Sequence, residues 1–255
     1  MGEWLSRFDV LKVDLHIHTS EDPVDIITYD ARSLVDRAVG CGFDALAVTL
    51  HDRQLVSPDV TAYARDRGIV LIPGTERTIG QKHVLLLNFP AAAAEAVRSL
   101  TDIAALKREH PGGLVIAPHP FFPGASPLRE LMEEHAALFD AVEWSYFWTP
   151  LLNFNRAAEQ WARAHGKPLV GNSDMHDIRQ IGRTHSLVDA KRDPLAICDA
   201  IREGRVHVVT SAAPVAELVQ VFAGLTARDV IAKARRWQRA DGRSSEGADA
   251  AEYSV

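Results

Sequence analysis

Short apolar runs recur along this chain, and nearly every one is closed by a histidine or a carboxylate. Helix signals fill the segments between them, so strand and helix alternate six or seven times without a linker or a break in composition. That alternation calls for one α/β domain with a largely parallel sheet. In an open doubly wound sheet a glycine-rich phosphate loop commonly follows the first strand, and none follows it here. A (β/α) barrel instead gathers its strand ends at a single mouth, where the polar residues would then collect.

The first strand, Lys12 to Thr19, carries His16 and His18. Side chains at i and i+2 share a face, so two imidazoles project side by side and make half of a metal site. Glu21 to Asp25 is a polar loop, and Asp30 caps a helix through about Val39, stopped by Gly40 and Gly42. Ala45 to Leu50 is a buried strand ending in His51-Asp52. Ser57-Pro58 opens a second helix, closed by Gly68. Ile69 to Ile72 is a third strand, ending in Pro73-Gly74-Thr75-Glu76, and His83 to Phe89 follows closely enough to form a hairpin. A helix is expected over 91–109, a strand over 114–117 ending in Pro118-His119-Pro120, and a helix over 127–139. Then come a strand over 141–146 bearing Glu143, a helix over 153–164, and a strand over 169–173 running into Asp174-Met175-His176. Ser186 to Val188, a helix from about Pro194 to Arg202 and a strand over 206–209 complete the regular part. Thr226 with Asp229 caps a last helix ending near Arg239, and 240–255 reads as a disordered tail. The expected organisation is therefore one domain over 1–239 and a tail.

The strand-end residues are His16, His18, His51, Glu76, His83, His119, Asp174 and His176. Burying so many polar groups without a shared purpose is costly. Imidazole plus carboxylate without thiolate favours Zn, Mn or Fe. A carboxylate such as Glu76 can bridge two cations about 3.5–4 Å apart, which lowers the pKa of a shared water towards neutrality. The resulting hydroxide can attack phosphorus while the cations neutralise phosphoryl oxygens. Arginine forks suit phosphate; Arg183 is the first candidate, Arg53 the second and Lys82 the third. Asp14 and Asp52 are candidates for orienting the imidazoles, with Glu143 a weaker one.

DLHIHT, the PGTE turn, HVLLL, APHP and DMH, in this order, resemble the successive motifs of the PHP (polymerase and histidinol phosphatase) superfamily. The resemblance covers residues 10 to about 210. It implies a distorted seven-stranded (β/α) barrel and a cluster of usually three metals that hydrolyses phosphoesters. Carried over by residue, it gives His16, His18, Glu76 and Asp174 to one metal, and Glu76, His83 and His119 to a second. His51, His176 and an acidic loop residue would hold the third, with Asp22 preferred over Glu21 and Asp25. Glu76, Asp174 and Arg183 are then the expected catalytic residues. One departure is Leu50, where many members carry Asp before the histidine.

A formal charge of -6 argues against a surface that coats double-stranded nucleic acid, so the expected partner is a small phosphorylated substrate. Cys41 and Cys198 are too few and too far apart for a disulfide framework, which fits a reducing cytoplasm. No apolar run reaches membrane-spanning length; Met1-Gly2 with Ser6 matches the myristoylation pattern only formally. The alternatives to a phosphoesterase are an amidohydrolase-type metal hydrolase of C–N or C–O bonds and a non-catalytic regulatory domain. An amidohydrolase would usually bridge its metals with a modified lysine, and Glu76 occupies that place instead.

Overall fold

A strand buried along almost its whole length, β1 (Val10–Ile17), is where the sheet begins and where it is drawn closed. The computed structural model describes residues 10–214. The formal myristoylation match at Met1-Gly2 and Ser6, the helix expected at 226–239 and the tail expected at 240–255 lie outside the described residues.

Leu11, Val13 and Leu15 of β1 join one cluster with residues from β2 (Ala45–Val48), β3 (Val70–Ile79), β4 (Lys82–Leu87), β5 (Leu114–Ala117), β6 (Ala141–Ser145), β7 (Leu169–Asn172) and β8 (Thr184–Asp189). A cluster fed by so many strands can only be the inside of a curved sheet. Alternate residues such as Leu46, Val84, Leu86, Val115 and Val142 pack outward against helices. The period of two therefore sorts every strand into an inner and an outer face. Each large apolar side chain so buried contributes roughly 1.5–3 kcal/mol.

Among the described residues nine strands run in the order β7-β6-β5-β4-β3-β2-β1-β8-β9, with β9 being Val206–Thr210. The expected seven-stranded barrel is corrected to a nearly closed sheet of nine. Pairing is parallel for β1/β2, β2/β3, β5/β6 and β6/β7, and antiparallel for the other four. Two features account for the difference. The PGTE segment does not end β3; the strand runs on to Ile79 and pairs with β4 as a hairpin. The chain also returns after the last ligand loop as the β8–β9 pair, with β8 against residues 10–13 of β1. Higher on β1, Ile17 bridges Met175 in parallel and the His18 N–H donates to the Met175 carbonyl.

Several helices begin where side-chain caps place them. Asp30 accepts from the Ser33 N–H before α1 (Ala31–Gly40), and Ser57 from Val60 before α2 (Pro58–Asp66). The long helix expected over 91–109 is instead α3 (Ala91–Ala96) and α4 (Leu100–Glu109), because Ser99 forms a capping box with Asp102. The helix expected over 127–139 shrinks to α5 (Leu131–Glu134) and one 3-10 turn. Helices α6 (Asn155–Ala164) and α7 (Pro194–Arg202) follow the sequence reading closely. Among the described residues no helix is long and apolar enough to cross a membrane.

Candidate metal centre

An irregularity in β1 prepares the site. The register with β2 shifts between Asp14 and Ile17, so Leu15 still faces the interior while Ile17 faces the helix layer. A bulge re-aims the side chains beyond it. His16 and His18 thereby turn towards the inside, above the apolar cluster, with no exposed surface. On β3, Glu76 shares parity with inward-facing Ile72, and on β4 His83 shares it with Leu85 and Leu87.

Glu76 stands at the centre. Its Oε2 lies 3.4 Å from His16 Nε2, 3.3 Å from His18 Nε2 and 3.2 Å from His51 Nε2. Its Oε1 lies 2.7 Å from His83 Nδ1 and 3.3 Å from His119 Nε2. Asp174 Oδ1 approaches His16 Nε2 at 3.3 Å, His18 Nε2 at 3.5 Å and His176 Nδ1 at 3.6 Å. His119 and Asp174 adopt φ values of 31° and 47°. Non-glycine residues rarely occupy that region, and they concentrate where a side chain must reach a particular point.

Outer carboxylates fix the rings. Glu143 Oε2 is 2.9 Å from His16 Nδ1. Asp22 Oδ2 is 3.0 Å from His18 Nδ1 and 3.1 Å from His51 Nδ1, and it also accepts the His51 backbone N–H. Asp22 Oδ1 accepts from the N–H groups of Val24 and Asp25. Asp25 Oδ2 lies 2.9 Å from His176 Nε2 and 3.6 Å from His51 Nδ1. The orienting role expected of Asp14 and Asp52 falls elsewhere. Asp14 accepts the backbone N–H groups of His16 and Ser173, and Asp52 binds Arg77 and the Thr78 N–H. Both carboxylates brace loops, and neither faces a ring nitrogen in these contacts.

The electrostatics follow from crowding. Burial would push His16 and His18 down, but Asp174, Glu76 and their other acidic neighbours outweigh it and hold both well above the ordinary range. His51 and His119 are raised for the same reason, against burial. Burial would raise Glu76, Asp174 and Asp22, yet the surrounding imidazoles hold all three down. Five overlapping sets of three or four of these side chains bring ligand atoms within 4.8 Å of one another.

A cavity of about 510 Å³ opens over the cluster, lined in part by Asp25, His51, Asp52, Thr78, Ser126 and His176. Thr78 and Ser126 carried no signal beyond being hydroxyls in loops or strands, and sequence reading passed them over. Arg53, Arg183 and Lys82 do not line it. Arg53 donates to the Glu21 carbonyl, while Lys82 is held by the carbonyls of Ala125 and Pro127. His185 bonds the Gly182 carbonyl and sits in edge contact with Phe43. Tyr146 is fully buried, and Trp148 donates to Thr210, so those aromatic residues serve packing. A larger groove of about 570 Å³ follows the β7–β9 seam, lined by none of the cluster residues.

Residues 153–206 match a family model described as PHP-associated. No curated protein matches the sequence. The fold is similar to a two-domain protein from Bacteroides vulgatus containing a predicted PHP-like metal-dependent phosphoesterase: 20% identity, TM-score 0.61, 80% of this chain covered. This chain spans 65% of that protein's length. It is also similar to an amidohydrolase from Chromobacterium violaceum with bound sulfate and no metal: 17% identity, TM-score 0.56, covering 76% of this chain and 97% of that one. A third similar structure is the lesion-specific endonuclease EndoQ from Pyrococcus furiosus: 18% identity, TM-score 0.55, covering 78% and 58% respectively. At these identities the likeness is one of fold. The PHP-associated segment and the shared fold support the resemblance to the PHP superfamily that the motifs carry.

Proposed function

We propose that the cluster holds two to three divalent transition-metal ions, Zn, Mn or Fe, and hydrolyses phosphoesters of small metabolites or nucleotides, including short oligonucleotides. The observation that carries this reading is the division of Glu76: one oxygen serves His16, His18 and His51, the other His83 and His119. Such a carboxylate is built to bridge. The donor set fits cations, since His16 Nε2 and His18 Nε2 lie 3.3 Å apart and two lone pairs at that distance repel unless a proton or metal intervenes. Divalent ions there would lower the pKa of a water and neutralise charge on phosphoryl oxygens.

In this reading His16, His18, Glu76 and Asp174 hold one ion, Glu76 with His83 and His119 a second, and His51 with His176 a third. For the acidic ligand of the third, Asp25 is favoured by its 2.9 Å approach to His176, whereas the oxygens of Asp22 already accept several protein N–H groups. Asp22 then orients His18 and His51, and Glu143 orients His16. Glu76 and Asp174 are the catalytic carboxylates. Thr78 and Ser126 offer hydroxyls to the substrate within the cavity, which Arg53 and Arg183 do not line.

Among the described residues that line the cavity none is Lys or Arg, which favours small substrates. The fold shared with an endonuclease runs against the expectation that double-stranded nucleic acid is excluded, so duplex oligonucleotides belong in the substrate panel. The fold shared with an amidohydrolase gives the second reading its support, and an assay of amide and lactone opening on the same preparation separates the two. A cytoplasmic setting is proposed with two free cysteines in its favour.

Two measurements test the proposal. Elemental analysis under metal-replete conditions is expected to find two to three ions per chain, and fewer than one would sink the cluster. Glu76→Gln is expected to abolish phosphate release across a phosphoester panel with the fold retained; persistent release would remove Glu76 from the bridge.

A further inference from the structure

The loops after β5 and β6 bring two aromatic rings to one rim. Phe122 and Phe154 have their centroids 5.3 Å apart. Phe122 also meets the His119 ring edge-on at 6.4 Å, and His119 Nε2 is 3.3 Å from Glu76 Oε1. The loop carrying Phe122 is pinned at several points. Arg129 donates to the Phe122 carbonyl at 3.0 Å, and Lys82 holds the carbonyls of Ala125 and Pro127. The His83 N–H binds the Ser126 carbonyl, which ties the loop directly to a residue of the cluster.

Packing alone does not account for these rings. Phe121 packs against the outer core, whereas Phe122 and Phe154 stay half-buried outside it. Beside them Leu151 and Leu152 are 95% and 58% exposed. A rigid, partly exposed aromatic pair one ring away from a cluster imidazole is a stacking surface for any planar group.

We infer that Phe122, backed by Phe154, forms a subsite for a planar aromatic substituent of a phosphoester bound at the cluster. The preferred substrates then carry a ring or base next to the phosphoryl group. This rests on the phosphoester reading given above, and the probes are chosen to separate the two.

Isothermal titration of metal-loaded protein with phenylphosphonate and methylphosphonate reads binding without turnover, since neither has an ester to hydrolyse. Phenylphosphonate is expected to bind roughly 5- to 100-fold more tightly. Phe122→Ala is expected to lose most of that preference and to keep its affinity for methylphosphonate. Phe122→Leu, which preserves apolar bulk, is expected to lose it in part and guards against a folding defect. Equal affinities in the unaltered chain, or a preference that survives in both variants, would overturn the subsite and leave the phosphoester reading standing. Failure of both phosphonates to bind would overturn the two together.

Discussion

Glu143 places Oε2 2.9 Å from Nδ1 of His16, and neither side chain has any exposed surface. The carboxylate selects the ring tautomer that leaves Nε2 free to face Glu76 and Asp174. Outer partners of this kind are worth about 10- to 100-fold in metal affinity. Glu143→Ala should lower affinity for the ion at His16 by that factor, measured by competition with a chromophoric chelator. Glu143→Gln keeps an acceptor oxygen and should be milder. An unchanged affinity in both variants would mean that His16 is held by its packing alone.

Metal loading should release protons. His16, His18, His51 and His119 are all raised in the metal-free chain by neighbouring carboxylates that outweigh burial, and ligation needs neutral imidazole. Affinity should therefore weaken as pH falls, starting above the ordinary histidine value of 6.5. Calorimetry in buffers of different ionisation enthalpy should show several protons leaving per chain. A heat independent of buffer would contradict the charged cluster.

The metal-free chain should have an unusual stability profile. Each raised histidine contributes stability that is fully present below 6.5 and lost as pH rises through its folded value. Glu76 and Asp174, both lowered, contribute stability present above 4.5 and 3.8 and lost as pH falls through their folded values. Asp14, pushed up to about 7 by burial against the hydrogen bonds that favour its charge, costs stability increasingly between 3.8 and that value. Melting temperature should thus be highest in mildly acidic solution and decline on the alkaline side, a decline that metal loading removes. A metal-free chain that gains stability from pH 6.5 upward would refute the charge assignment.

The seam offers a steric test. A Cβ on Gly171 would lie 2.7 Å from the His185 carbonyl oxygen and 2.9 Å from Val208 Cγ1. The N–H and C=O of Gly171 also both bond the Ser186 hydroxyl, which leaves the strand little room to retreat. Gly171→Ala should cost about 1–3 kcal/mol, read from the urea midpoint.

Local pattern carried much of this architecture. The Asp30 and Ser57 caps fixed where two helices start, and the i, i+2 spacing of His16 and His18 put both on one buried face. What escaped depends on partners distant in the chain. Pro73-Gly74 reads as a turn, yet Gly74 pairs with Leu87 inside a continuous strand, because neighbours on both sides supply the ladder that the sequence alone does not display. The bulge that turns His16 and His18 inward is likewise a property of the register with β2. Asp22 was legible as an acid in the right loop; that one of its oxygens faces two imidazoles was not, since His51 lies 29 positions away.

Met175 sits between Asp174 and His176, and it is also the residue that bridges β1 where the sheet draws shut. The backbone joint and two groups of the cluster thus occupy three consecutive positions. An ion gripped by Asp174 together with His16 and His18 would act as a buckle on the barrel, resisting the separation of the segment after β7 from β1. Loading should therefore slow amide exchange at His18, whose N–H is bound to the Met175 carbonyl, more than at sites remote from that joint.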